Sequence, residues 1–381
     1  MARVSATEAA YAPFLQELRE LCPPGTSILD AHTHLGADED GQRLEPDELL
    51  RALDVVSPEA RACAFPFHDP QRSPAYRLPN DRVLDWASES DRIIPYCRLD
   101  PAEDPVEEAE RCLARGARGI KLHPRAQAFT FDSPEMEAIF ATARAAQVPI
   151  LIHAGRGMAP MDALADIALR YPEVPLVLAH AAIAGQGMFA ERLAEHPAVV
   201  YDTSCFSPFD VVELFARVPA ERIVFASDVP YGRPANGLFM AMRAAAYAGL
   251  DDDERALVAG GTMESILDGG PLPETRPPRL DAARAGNGRL LRVVPYLSMA
   301  FGAVLGGGDT IDYARAAPFV AMARTVPRDP AQGAAGPALE RIDAALQAAE
   351  QMLAEGGPQA RAALGLVHGA AVIAATEPVT Y

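Results

Sequence analysis

Two histidines separated by one residue, His32 and His34 in the run DAHTHLG, form the first pair of side chains able to do chemistry together. On an extended strand, side chains two positions apart leave the same face, which is the geometry of a chelating pair. An isolated pair of this kind occurs often by chance, and its company is what makes this one informative. Further short apolar runs end in titratable residues: FHD in His68, KLHP in Lys121 and His123, IHAG in His153, AHA in His180 and ASD in Asp228. Six of the eight histidines therefore stand at run ends, leaving His196 and His368 for structural roles. Imidazoles with a carboxylate are donors for a divalent metal, and His32, His34, His153, His180 and Asp228 are the expected ligands. Zinc suits this set, as do manganese, iron and nickel.

Lys121 carries a separate signal, because every other member of the 34 basic residues is an arginine. A guanidinium cannot be deprotonated, whereas a desolvated lysine near cations can lose its proton and add to carbon dioxide. The resulting carbamylated Lys121 would present a carboxylate able to bridge two ions. The other reading is a structural ion pair between Lys121 and a carboxylate.

These residues need a scaffold that brings separated run ends together. Eight apolar runs, at residues 27–31, 62–67, 93–98, 119–122, 149–152, 175–179, 199–202 and 223–227, alternate with Ala/Leu/Glu/Arg stretches of helical period. That alternation predicts an α/β fold, a (β/α)8 TIM-like barrel, whose chemistry sits at the C-terminal ends of its strands. A doubly wound sheet is the alternative, but no glycine-rich phosphate loop follows the first run. The expected organisation is a helical lead-in over 1–26, the barrel over 27–270 and a helical C-terminal extension over 271–381. The stretch GGPLPETRPPRL at 269–280 reads as the linker between the last two. Leu339, Ile342, Leu346, Ala349 and Leu353 recur at three- and four-residue intervals, giving a helix with one apolar stripe. Such a helix packs on the barrel or on a second subunit of a homodimer, or covers the site as a lid.

Composition narrows the function classes. With 381 residues, 49% hydrophobic and 23% charged, the chain can bury a large core and is not disordered. Its net charge of −18 repels phosphate backbones, so no nucleic-acid partner is expected. Residues 271–381 balance ten arginines against ten acidic residues, so the whole excess lies before them. Five cysteines without CxxC spacing suit reduced, core-packed thiols. The N-terminal stretch lacks an apolar secretory core, and the longest uncharged apolar run falls short of the roughly 20 residues a membrane span needs. A cytoplasmic protein with no membrane partner is the expectation.

DAHTHLG, GIKLHP, PILIHAG, LVLAH and FASDVPYG, occurring in that order, resemble the metal-dependent amidohydrolase superfamily, specifically its amidohydrolase-2 branch. The resemblance covers roughly residues 27–270. It implies that His32, His34 and Asp228 bind a metal with His153, and that His180 binds a second metal or assists the substrate. It also places Lys121 where dinuclear relatives carry a carbamylated lysine. Thr262 stands where many relatives have an asparagine, and the tail beyond 270 has no counterpart in the family core.

The resulting expectation is a hydrolase that cleaves an amide, ester or lactone bond of a small molecule with a metal-activated water. Asp228 would relay the proton, and His180 would polarise the carbonyl or hold a second ion. The alternative is a non-oxidative decarboxylase of a small aromatic or unsaturated acid at the same site. A catalytically silent binding module is a third reading. His68, Arg98, His123, Arg156 and Tyr231 are the candidate substrate contacts.

Overall fold

Each apolar run becomes a strand buried on both faces, which is what a parallel sheet wrapped in helices requires. The computed structural model describes residues 6–155, 161–280, 288–305, 312–328 and 336–377. The strands are β1 Leu29–Ala37, β2 Arg61–Pro66, β3 Ile93–Pro95 continued by Cys97–Arg98, β4 Ile120–Leu122, β5 Ile150–Ile152, β6 Leu176–Leu178, β7 Val199–Asp202 and β8 Ile223–Val224. Neighbours in sequence pair in parallel from β1 to β8. At the break in β3, Tyr96 N donates to Ala64 O and Cys97 N to Gly119 O, so the ladder continues from β2 to β4. The far edges meet through Ala31 N to Phe225 O at 2.9 Å, Asp228 N to His32 O at 2.9 Å and His34 N to Val229 O at 3.0 Å. The cylinder expected from the eight runs is therefore closed by β1 and the chain leaving β8.

The period of two along each strand divides the core. Leu29, Cys63, Phe65, Leu151, Val177, Val200 and Val224 fill the barrel interior. Ala62, Ile120, Ile150, Ile152, Leu176 and Leu178 face the surrounding helices. Gly119 has no side chain because the Tyr96 ring occupies the space a Cβ would take. Prolines start the outer helices Pro46–Asp54, Pro105–Ala114, Pro134–Ala146, Pro208–Arg217 and Pro234–Tyr247. A first-turn proline loses no intrahelical hydrogen bond and has φ already fixed.

Helix Ala6–Leu21 precedes the barrel. The stretch read as a linker has no regular structure over 271–280, yet it is pinned to the barrel by Arg276 to Asp251, Arg279 to Glu254 and Thr275 to Glu221. Beyond it the described tail is helical, with Val294–Leu305, Ala317–Arg324, Gly336–Glu355 and Gly357–Thr376 as its main segments. The predicted stripe from Leu339 to Leu353 is buried. Helix Gly357–Thr376 docks on the barrel helix Pro234–Tyr247, where Asn236 Nδ2 donates to Gly365 O at 2.9 Å and Arg243 Nε to Thr376 Oγ1 at 2.7 Å. Tyr11 Oη from the first helix donates to Ala362 O at 2.6 Å, so both chain ends clasp the same side of the barrel. Among the described residues no helix is long and apolar enough to cross a membrane.

Candidate functional site

The C-terminal strand ends surround a cavity of about 870 Å³, within the range of small-molecule sites. His32, His34, His68, Arg98, Lys121, His123, His153, His180, Asp228 and Tyr231 all line it. Arg156, the remaining sequence candidate, lies outside the described residues.

At the centre, His32 Nε2 and His34 Nε2 approach Asp228 Oδ1 at 3.2 and 3.0 Å. Ligand atoms of His32, His180 and Asp228 all lie within 4.8 Å of one another. His180 Nε2 also faces His153 Nδ1 at 2.9 Å. The outer partners fix which nitrogens are free. His32 Nδ1 sits 2.8 Å from the Asp202 carboxylate and His180 Nδ1 2.8 Å from the Ser204 carbonyl, so both carry their proton on Nδ1. Their Nε2 lone pairs then converge with a carboxylate oxygen, an arrangement that a cation satisfies and that neutral imidazoles alone do not. His34 Nδ1 is buried without a partner.

Burial, the largest effect, holds His32 well below the usual histidine range, with the Lys121 amine adding to it. Burial likewise lowers His34 and His153. For Asp228, burial acts upward, but the surrounding imidazoles, His32 foremost, outweigh it and bring the group down to about 2. Neutral imidazoles beside an ionised carboxylate are the protonation states metal binding requires. His180 and Asp228 are held in the left-handed region at φ +58° and +56°, which non-glycine residues adopt rarely and which here turns both side chains into the mouth. A Cβ on Gly155 would come within 2.8 Å of His153 Nε2, so this loop can pass the imidazole only as glycine.

Lys121 is fully buried, with Nζ 3.4 Å from His32 Nε2 and 4.6 Å from the centre of the Phe65 ring. Burial, reinforced by Arg98, pulls its pKa down to about 7. No ion pair to a carboxylate forms among the described residues, in contrast to the structural reading of this lysine. Arg98 is 1% exposed; it reaches Pro66 O at 3.3 Å and Gln127 Oε1 at 3.4 Å and lies over the Tyr76 ring. Its Nη2 is buried with no partner. The His68 ring bonds Tyr76 Oη at 2.6 Å. The His123 ring stacks on His153 at 3.9 Å, while its Nδ1 accepts from Ala126 N. Tyr231 packs edge-on against His34 and donates to Asp40 at 3.0 Å. Away from the site, His196 bonds Ala168 O, as a structural histidine does.

Sequence reading missed Asp202, which orients His32 and accepts from His180 N at 2.8 Å. It ends the run VVYD, so the strand-end rule that picked out the histidines could have found it. Asp30 was missed as well. Its Oδ1 accepts from Ser227 N and His32 N, tying β1 to the segment that carries Asp228, and burial raises its pKa to about 7. Asp38, Glu39 and Asp40 at the cavity entrance had no signal beyond a charged loop.

The sequence model of the amidohydrolase family, described as Amidohydrolase, matches residues 29–267. No curated protein matches the chain. Among solved structures, the apo form of Metarhizium anisopliae IDCase is 14% identical, with a TM-score of 0.52 over 64% of this chain and 98% of that one. An uncharacterised TIM-barrel protein from Bordetella bronchiseptica is 12% identical, with a TM-score of 0.50 over 64% and 99%. A 5-carboxyvanillate decarboxylase from Novosphingobium aromaticivorans with bound manganese is 14% identical, with a TM-score of 0.49 over 64% and 97%. At such identities the likeness extends to the barrel fold.

Proposed function

The chain is an enzyme of the amidohydrolase family, and from that premise we propose that it hydrolyses an amide, ester or lactone bond of a small molecule at a divalent metal centre. The observation that carries this reading is the convergence of His32, His180 and Asp228 on one point, with the outer nitrogens of both histidines already bonded. His32, His34 and Asp228, with His153 and His180, would hold the ion, for which zinc is the first candidate. When bound, the ion polarises the scissile carbonyl and lowers the pKa of a water from about 15.7 toward about 7. Asp228, ionised at neutral pH, accepts a proton from the attacking water and returns it to the leaving group. His180, its Nδ1 held by the Ser204 carbonyl, keeps the Nε2 lone pair as its donor to the ion. A Lys121 amine near neutrality is available for carbamylation, which would supply a further carboxylate for a second ion. Arg98 offers Nη2 to an anionic group of the substrate, and His68, His123 and Tyr231 shape the remaining wall.

The same open Nη2 of Arg98 supports a second reading, non-oxidative decarboxylation of a small aromatic or unsaturated acid whose carboxylate the guanidinium would receive. Elemental analysis of the purified protein, followed by turnover of small esters, lactones and amides, tests the first reading. Stoichiometric metal is expected, with base uptake on the esters and lactones or release of amine from the amides. Release of carbon dioxide from small acids, with neither base uptake on the esters and lactones nor amine release from the amides, would transfer the site to the second reading. The five cysteines are free of disulfides and support the cytoplasm as its location. A homodimer through the tail is the proposed assembly, checked by sedimentation.

A further inference from the structure

A second cavity, of about 140 Å³, lies beside the reaction centre, between the loops that leave β7 and β8 and the C-terminal helices. Its apolar wall is Met240 from the barrel helix, Phe301 and Val304 from helix Val294–Leu305, and Leu364 from helix Gly357–Thr376. Phe206, Asp228 and Tyr231 line both this space and the larger cavity, so the two adjoin at the reacting carboxylate. Phe206 and Tyr231 are 47% and 37% exposed, which leaves two aromatic faces bare at the junction. An apolar cavity of roughly 150 Å³ stays dry and accepts a benzene ring.

One buried polar atom faces no partner here. His368 lines the cavity, is 8% exposed, and its Nδ1 makes no hydrogen bond. Burial pulls its pKa to about 4, so it is a neutral imidazole at physiological pH. The neighbouring polar side chains are committed, Asn236 Nδ2 to Gly365 O and Arg361 Nη2 to Pro230 O. A buried ring nitrogen without a partner gains a hydrogen bond from any neutral donor or hydroxyl brought against it.

We propose that this compartment receives the uncharged arm of the substrate: a phenyl- or hexyl-sized group attached to the reacting bond, with room for a neutral polar atom opposite His368. Its outer wall comes from helices beyond the family match at 29–267, so the preference belongs to this chain's own extension. The assignment rests on the hydrolytic reading for its reaction, but the compartment can be tested without it.

The full-length protein is assayed by base uptake on methyl acetate, methyl hexanoate and methyl 3-phenylpropanoate. The two longer esters are expected to show kcat/KM at least tenfold higher, and Val304→Phe or Leu364→Phe to reduce that ratio at least tenfold. Hydrolysis of all three without a length preference, or a preference that survives both filling substitutions, overturns the compartment and leaves the hydrolase reading intact. Should none of the esters turn over, binding of phenol and toluene measured by calorimetry decides. Wild type is expected to bind both, with Val304→Phe and Leu364→Phe weakening both at least tenfold. His368→Phe, close in volume, is expected to weaken phenol more than toluene. Absence of binding, or binding indifferent to all three substitutions, overturns the proposal whatever the reaction.

Discussion

Asp228, the proposed proton relay, touches His32 and His34 and is ionised throughout the neutral range. Replacing it by Asn keeps the shape but removes the acceptor. Turnover should fall by about 10²–10⁴, the usual contribution of a positioned acid–base group, with the circular dichroism spectrum unchanged. Near wild-type turnover would dismiss Asp228 as the proton relay. His368 gives a prediction of a different kind. Unfolded, it takes up a proton near pH 6.5; folded, burial delays uptake to about pH 4. The unfolded state therefore binds more protons as pH falls through that window, and stability drops by about 3 kcal/mol between pH 6.5 and 4 on this account alone. Urea midpoints measured across that range should fall less steeply for His368→Phe than for wild type, and parallel slopes would refute the assignment.

Strand ends and the helices behind them hold these residues in place. The β7 end supplies Asp202, whose two oxygens orient His32 and the His180 backbone. Asp202→Ala should weaken metal affinity about 10–100-fold, the usual effect of losing such an outer partner, as read by competition with a chelating dye. Helix Arg77–Ala87 supplies Asn80, fully buried, which accepts from Arg98 N at 2.9 Å and donates to Arg98 O at 3.0 Å and to Glu108 Oε1 at 2.8 Å. Asn80→Leu leaves the Arg98 backbone N–H and carbonyl without this partner, while Glu108 keeps its bonds to Arg111, and chemical denaturation should register a loss of about 1–3 kcal/mol.

Across the whole molecule, barrel, lead-in and tail share a continuous core: Leu366 in the last long helix is as fully buried as the strand residues. Leu366→Ala should cost about 2–5 kcal/mol in one cooperative transition, monitored by calorimetry together with activity. The proposed ion would be coupled to folding as well. A saturating ion at 100 times its Kd stabilises by about 2.7 kcal/mol, so a chelator should lower the unfolding temperature and abolish turnover, and added metal should restore both. An unfolding temperature indifferent to chelator would argue against a resident ion.

The eight strands and the titratable residues at their ends were legible in the sequence because both report on local chemistry: apolar runs with buried faces, and histidines placed where such runs stop. DAHTHLG, IHAG, AHA and ASD could be read one at a time, and closure of the cylinder did the rest. The tertiary structure alone decided which nitrogen of each histidine is free, since that depends on Asp202 and the Ser204 carbonyl, groups 170 and 24 positions away. It alone decided that Lys121 pairs with no carboxylate among the described residues and that Arg98 keeps an open nitrogen, because pairing and burial arise when distant segments meet. It also turned a tail with only an apolar stripe to its credit into a wall beside the Asp228 carboxylate. A stripe shows that a helix will be buried but carries no record of the surface that buries it.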